Sequence, residues 1–171
     1  REWASGLGGL YMTIVLKEEN LDKVRYLTLI ASLAVAKTIE KLTKLNALVK
    51  WPNDVLINNK KICGILTETI SDNKNYALVG IGLNINQKNF NRHISNKAVS
   101  LKIITTKNHN IKKISKIIID NFNSLYTYYK NKNYKKIIGI WKNCSHTLGK
   151  RVKVKTLSEV FVGEAVDVDK N

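Results

Sequence analysis

The run Tyr76–Asn84, YALVGIGLN, constrains the fold more than any other stretch of the chain. Apolar residues occupy both its odd and its even positions, so a strand built from it is buried on both faces and lies inside a sheet. Such a strand needs partners and a covering layer. Partners are offered by Gly8–Leu16 after a glycine-rich loop, by Ala47–Trp51 up to the single proline, Pro52, and by Asp54–Asn58 and Ile62–Ile70 around the polar turn 58–61. A covering layer is offered by a helix over Leu21–Leu45, capped by Asn20, whose apolar residues from Val24 to Leu45 recur at three- and four-residue steps and predict one packed face. A second helix over Ile111–Lys130 carries a stripe from Ile114 to Tyr129, and a short helix spans Tyr134–Asn143. The stretch 87–110 between the apolar run and the second helix is polar and lysine-rich. The expected class is α+β, a mixed β-sheet flanked by helices.

From Gly149 the pattern changes to short β-like runs through Val152, Val154, Val160, Val162 and Val166. This predicts a main domain over 1–146 and a small all-β unit over 147–171. The opening Arg1 and the closing Asp169-Lys170-Asn171 do not read as natural termini, and the chain is expected to be a fragment of a larger protein.

Composition removes several classes. The apolar runs fall well short of the roughly 20 residues that a spanning helix needs, so no membrane association is expected. Cys63 and Cys144 make neither a disulfide framework nor a spaced zinc motif, and two buried thiols suit a reducing, cytoplasmic compartment. The net charge of +16 suggests nucleic acid at first sight. Yet 25 Lys stand against 4 Arg, beside 20 Asn and 20 Ile, a mixture that AT-rich codons produce without any function. Base and phosphate forks favour Arg with interleaved aromatics, so a solvated lysine-rich surface is preferred over a nucleic-acid-binding module, which stays as an alternative. His93, His109 and His146 fall in polar or loop settings and read as surface residues.

Three clusters are too polar for their apolar settings. Lys50-Trp51-Pro52-Asn53-Asp54 places an amide and a carboxylate at a stiffened bend between strands. Lys60-Lys61-Ile62-Cys63-Gly64 brings a lysine pair into a strand whose glycine lets a ligand approach the backbone. Gly80-Ile81-Gly82-Leu83-Asn84 lacks the GxGxxG spacing and a following helix, so it is no dinucleotide fingerprint. Taken singly, each has an ordinary reading as a turn, a hairpin loop or a bulged strand. A two-residue turn at Asn59-Lys60 would put Asp54, Asn58, Lys61, Cys63 and Ile65 on one face, bringing Asp54 and Lys61 to one pocket with Cys63 as a neighbour.

Together the clusters resemble the catalytic core of the biotin–protein ligases: KWPND at 50–54, KKICGIL at 60–66, Glu68, and GIGLN at 80–84, in that order. Arg1-Glu2-Trp3-Ala4-Ser5 resembles the end of that family's Gly-Arg-rich ligand loop, and Gly8-Gly9-Leu10-Tyr11 the strand after it. Gly6 stands where the family commonly has proline, and most of the Gly-Arg-rich loop itself is not in the chain. The resemblance implies a class II synthetase-like fold with a partial C-terminal SH3-like β-barrel. It implies activation of biotin by ATP and Mg²⁺ to biotinyl-5′-AMP, then transfer to a lysine of a biotin carboxyl carrier domain. By the same resemblance the catalytic residues are Lys61, Asp54 and Arg1. Lys61 with Gly64, Gly80 and Gly82 would hold biotin, Trp3, Asn53 and Asn84 the nucleotide, and Asp54 and Asn84 the Mg²⁺. Asp54 is left open between metal ligand and base. A lipoyl- or octanoyl-transferring relative shares the architecture and is the nearest alternative. The resemblance also implies that this chain alone is weakly active or inactive, with no DNA-binding domain in it, and leaves a homodimer open.

Overall fold

The structure, a computed structural model, describes residues 6–156 and 159–168. Five strands form one sheet: β1 (Leu10–Lys17), β2 (Ala47–Lys50), β3 (Asp54–Ile57), β4 (Lys60–Ser71) and β5 (Asn75–Leu83), in the order β1-β5-β4-β3-β2. The two-sided apolar run forms β5, inside the sheet between β1 and β4. Every neighbouring pair is antiparallel, which corrects the mixed sheet expected from the sequence. The reason is connectivity: β2 to β5 follow one another through short turns, which only antiparallel neighbours permit. Parallel pairing among the described residues is confined to the isolated bridges Val49–Ser145 and Lys61–Ala98.

A 3₁₀ turn at Leu21–Lys23, capped by Asn20 through Asp22 N at 3.0 Å, leads into α1 (Arg25–Thr43). The expected single packed face is too narrow. Residues all round α1, including Leu27, Ile30, Leu33, Val35 and Ile39, are buried. The helix lies between the sheet and a second layer made by α3 (Ile111–Lys130) and α4 (Tyr134–Asn143). Its buried hydroxyls are satisfied: Ser32 donates to Leu29 O and Thr38 to Ala34 O, while Thr38 also accepts from Asn121 Nδ2. The polar stretch 87–110 contains a short helix not expected from the sequence, α2 (Leu101–Thr105), capped by Ser100. Five residues are too few to leave a periodic trace.

Helices α3 and α4 match their expected bounds because each starts at an Asn whose side chain accepts an early amide, Asn110 from Lys113 N and Asn133 from Lys136 N. On α3 the buried stripe is Ile114, Ile118, Phe122, Leu125 and Tyr129, each such side chain worth about 1.5–3 kcal/mol of burial. Its aromatics pack inward: Tyr126 stacks between Phe122 and Tyr129, and Tyr129 meets Tyr134 edge-on. They form no platform for bases. After α4, β6 (Arg151–Lys155) and β7 (Val160–Glu164) make a two-stranded sheet. It is fastened by Gly149 N to Ala165 O at 2.9 Å and by the Lys142–Asp167 ion pair. No helix among the described residues is long and apolar enough to cross a membrane.

Candidate active site on the sheet

Strand alternation gives the sheet two different faces. Val49, Val55, Cys63, Ile65, Val79 and Ile81 point to α1. The opposite face carries Lys50, Asp54, Leu56, Leu66 and Tyr11. At its middle Gly64 pairs with Gly82, and Gly80 stands opposite both Leu66 and Thr13. Three glycines on adjoining positions leave a patch of bare backbone, a floor on which a flat molecule can lie against the strands.

The Lys61–Asp54 pair borders this floor. Asp54 stands opposite Gly64, and Lys61 opposite Leu56, the next residue on Asp54's side. Lys61 Nζ lies 2.5 Å from Asp54 Oδ1, which makes no hydrogen bond beyond that ion pair among the described residues. The turn is at Asn58-Asn59, with φ of 50° and 59°, one residue earlier than expected. Both central residues in the left-handed region make the turn that suits a two-residue hairpin, and asparagine tolerates it. A shift of the turn by one position changes the pairing by two, so Lys61 stays on Asp54's side. A bulge between Val55 and Leu56 then inserts Ile62 and reverses the alternation beyond it. Cys63 therefore faces the core, not the pocket, and so does Ile65. Burial pushes the Cys63 thiol up, against the opposing pull of the Lys61 ammonium.

Asn53 grips Ile65 through both of its halves: its carbonyl accepts Ile65 N at 2.8 Å, and Nδ2 donates to Ile65 O at 2.6 Å. This holds the 50–54 bend against β4 and fixes Asp54. The bend includes a cis Trp51–Pro52 peptide, and Trp51 packs edge-on against Trp141 of α4. Asn84 directs its amide to Val99 O at 3.1 Å, while its Oδ1 accepts from Gln87 Nε2 at 3.4 Å. The segment 97–99 is bonded to Lys61 itself, through Lys61 N to Lys97 O and Val99 N to Lys61 O. Exposed lysines adjoin the pair, Lys50 opposite Asp54, Lys60 next to Lys61 and Lys97 bonded through its carbonyl to Lys61 N, an excess of positive charge suited to a polyphosphate.

The structure thus places Asp54, Gly64, Gly80 and Gly82 on one face of the sheet, with Lys61 at its border, Asn53 at the bend before β3 and Asn84 just after β5. Arg1 and Trp3 lie outside the described residues. For a metal, the described residues offer no group of three His, Cys, Asp or Glu, and Asn84 has both ends of its amide engaged. A resident Mg²⁺ cage does not fit this donor set. Magnesium carried on nucleotide phosphates needs only one or two protein carboxylates, and Asp54 is the one present.

Sequence reasoning missed Gln87. Its Nε2 reaches Tyr11 Oη and Asn84 Oδ1, both at 3.4 Å, and its Oε1 is buried without a partner among the described residues. The available signal was a third polar side chain in the run Asn84-Ile85-Asn86-Gln87 leaving a buried strand. A cavity of about 530 Å³ lies elsewhere, lined by Arg25, Tyr26, Leu29, Trp51, Ile138, Asp167 and Val168, and touches neither the floor nor the Lys61–Asp54 pair.

The family description "Biotin/lipoate A/B protein ligase family" matches residues 1–86. The biotin protein ligase of Aquifex aeolicus, solved in complex with biotin and ATP, superposes with a TM-score of 0.87 at 31% identity, over 99% of this chain and 72% of that one. The bifunctional ligase/repressor BirA of Bacillus subtilis is 32% identical over 99% of this chain and 54% of its own length. The biotin–[acetyl-CoA-carboxylase] ligase of Paracoccus denitrificans is 32% identical over 50% of this chain and 37% of its own length. The chain spans about half the length of the BirA relative that it matches. By these matches the chain falls in the class of protein ligases. The chain belongs to the biotin/lipoate A/B protein ligase family, among its biotin–protein ligases.

Proposed function

We propose that this chain is the catalytic part of an ATP-dependent biotin–protein ligase. A biotin carboxylate oxygen attacks the α-phosphorus of ATP, the bond to the β-phosphate breaks, and biotinyl-5′-AMP and pyrophosphate form. The neutral Nζ of a carrier lysine then attacks the acyl carbon, AMP leaves with the electron pair of the broken bond, and the amine's proton is lost. The observation that carries this reading is the Lys61–Asp54 pair at the border of a floor without side chains. The first step brings two anions together, and a fixed ammonium lowers its barrier by neutralising charge that develops on the α-phosphate. Lys61 is that group. Gly64, Gly80 and Gly82 carry the ring and tail of biotin, and Asn53 and Asn84 border the nucleotide.

Magnesium enters as part of the MgATP substrate. Asp54 holds Lys61 in place and is the carboxylate beside the reacting atoms, as a ligand to that metal or as acceptor of the lysine proton. Arg1 and Trp3 belong to the same reading, as a phosphate-binding guanidinium and a face for adenine. The carrier is a biotin carboxyl carrier domain, and the location is the cytoplasm. The unit 1–146 is the catalytic domain, and β6–β7 within 147–171 is part of an SH3-like barrel.

The test is incubation of the chain with biotin, MgATP and a carrier domain, following pyrophosphate and labelled biotin on the carrier. Pyrophosphate release that needs biotin and disappears in Lys61→Ala supports the reading. A larger thermal shift with lipoate than with biotin, each with ATP, would reverse it in favour of the lipoyl-transferring relatives.

A further inference from the structure

Among the described residues, three buried side-chain atoms lack a hydrogen-bond partner: Asp54 Oδ1, Gln87 Oε1 and Trp141 Nε1. Asp54 has its ion pair with Lys61, and Trp141 belongs to the core. Gln87 Oε1 is different, because it sits at the end of the bare floor. Its side chain is bracketed by Tyr11, the cross-strand partner of Gly82, and by Asn84, which ends β5.

An amide flip does not cure the defect. Asn84 Nδ2 is directed to Val99 O, so Asn84 turns its oxygen to Gln87. Tyr11 Oη gives its proton to Gly6 O at 3.0 Å, so it too faces Gln87 as an acceptor. Both neighbours call for a donor, and Nε2 is the only donor that Gln87 has. Oε1 is therefore held as an acceptor with nothing to accept from, a state that native structures rarely keep without a ligand or water to complete it.

Resting on the ligase reading above, we propose that Gln87 is a specificity residue for the nucleotide: its Oε1 accepts a hydrogen bond from the exocyclic amine of adenine. The position beside Asn84, at the nucleotide end of the site, and the fixed polarity of the amide select an N–H donor and reject a carbonyl. ATP offers an amine there, and ITP and GTP offer an oxygen. A site built to pair one polar group discriminates strongly against the analogue that lacks it, because the buried partner is then left unpaired.

The experiment measures equilibrium binding of ATP and ITP, each with biotin present, to the unaltered chain and to Gln87→Met and Gln87→Ala. The unaltered chain is expected to prefer ATP by about tenfold or more, the worth of one buried acceptor left unpaired. Both variants are expected to lose most of that preference, mainly by weaker ATP binding. The ratio is taken within one protein, so partial unfolding scales both affinities alike and leaves it unmoved. An unaltered ATP-to-ITP ratio in the variants, with nucleotide still bound, overturns the role of Gln87 and leaves the ligase reading standing. A chain that binds neither biotin nor nucleotide removes the ligase reading, and this assignment with it.

Discussion

Lys61 Nζ meets Asp54 Oδ1 at 2.5 Å because the Asn58-Asn59 turn sets Lys61 opposite Leu56, on Asp54's face, ahead of the bulge that turns the following residues to the core. The pair is partly exposed, 39% and 21% by side chain, so its own worth to stability is about 1 kcal/mol or less. Its importance lies in where it holds a positive charge. Lys61→Met is expected to reduce biotin-dependent pyrophosphate release about 100- to 1,000-fold, the effect of removing one group that stabilises developing charge. The variant also leaves the Asp54 carboxylate without its cation, and adding Asp54→Asn should recover the stability lost in Lys61→Met without recovering activity. Urea unfolding alongside the pyrophosphate assay separates the two effects.

Gly80 tests the floor. A Cβ there would meet Leu66 O at 3.3 Å, so Gly80→Ala asks for a shift of a few tenths of an ångström. Its φ is not in the left-handed region, and the backbone accepts alanine. Stability should fall by about 1 kcal/mol, the low end for a forced-in methyl group, while the methyl projects over the floor and biotin affinity falls about tenfold. Titration calorimetry with biotin checks this, and unchanged affinity would move biotin off the strands.

Far from the site, Tyr129 Oη donates to Glu18 Oε2 at 2.8 Å and holds α3 against the end of β1. Burial, and then this hydrogen bond, push the Tyr129 phenol well above its ordinary range, so it stays protonated. Tyr129→Phe should lower the unfolding free energy by about 1.5 kcal/mol, as for a hydrogen bond to a charged group. Biotin affinity should stay unchanged.

Cys63 lies directly behind the site, yet its thiol should be silent. With the pKa pushed up by burial, thiolate is scarce at pH 8. Iodoacetamide should modify Cys63 in the folded chain only as fast as the chain unfolds, and in urea at the rate of a free thiol.

Stability should decline on the acid side of neutrality. His109 bonds Thr105 Oγ1 at 2.6 Å, and burial followed by the nearby Lys107 ammonium depresses its pKa below the ordinary value of about 6.5. His146, bonded to Asn59 Oδ1 at 3.1 Å, is depressed in the same way by burial, then Lys150 and Lys50. The unfolded chain binds these protons first. Stability is therefore complete above about pH 6.5 and falls as the pH drops from there toward the depressed folded values. Melting curves between pH 5 and 8 should show this slope, reduced in His109→Gln.

Much of the scaffold was legible because it follows single-residue rules. The two-sided apolar run placed β5 inside the sheet, and Asn110 and Asn133 gave α3 and α4 their starts. The all-round burial of α1 was not legible as a stripe, because a helix between two layers has no wet face to set the contrast. The site was legible in its members and not in its facing. Asn58-Asn59 carried the turn signal, but the bulge that sends Cys63 and Ile65 to the core depends on pairing across β3 and β4. Gln87 left only a weak trace for the same reason: its meaning comes from Tyr11 and Asn84, one of them 76 residues away.

The pairing of β1 with β5 closes the first half of the chain on itself, with α1 as its bracket. In that half a residue is judged by its cross-strand partner, by the face it lands on and by the turn beside it, so few substitutions are neutral. In α3 and α4 a residue is judged mainly by whether its stripe stays apolar. The two halves should therefore drift at different speeds, the closed sheet slowly and the helical cover freely. The family description matches residues 1–86, which is the closed half.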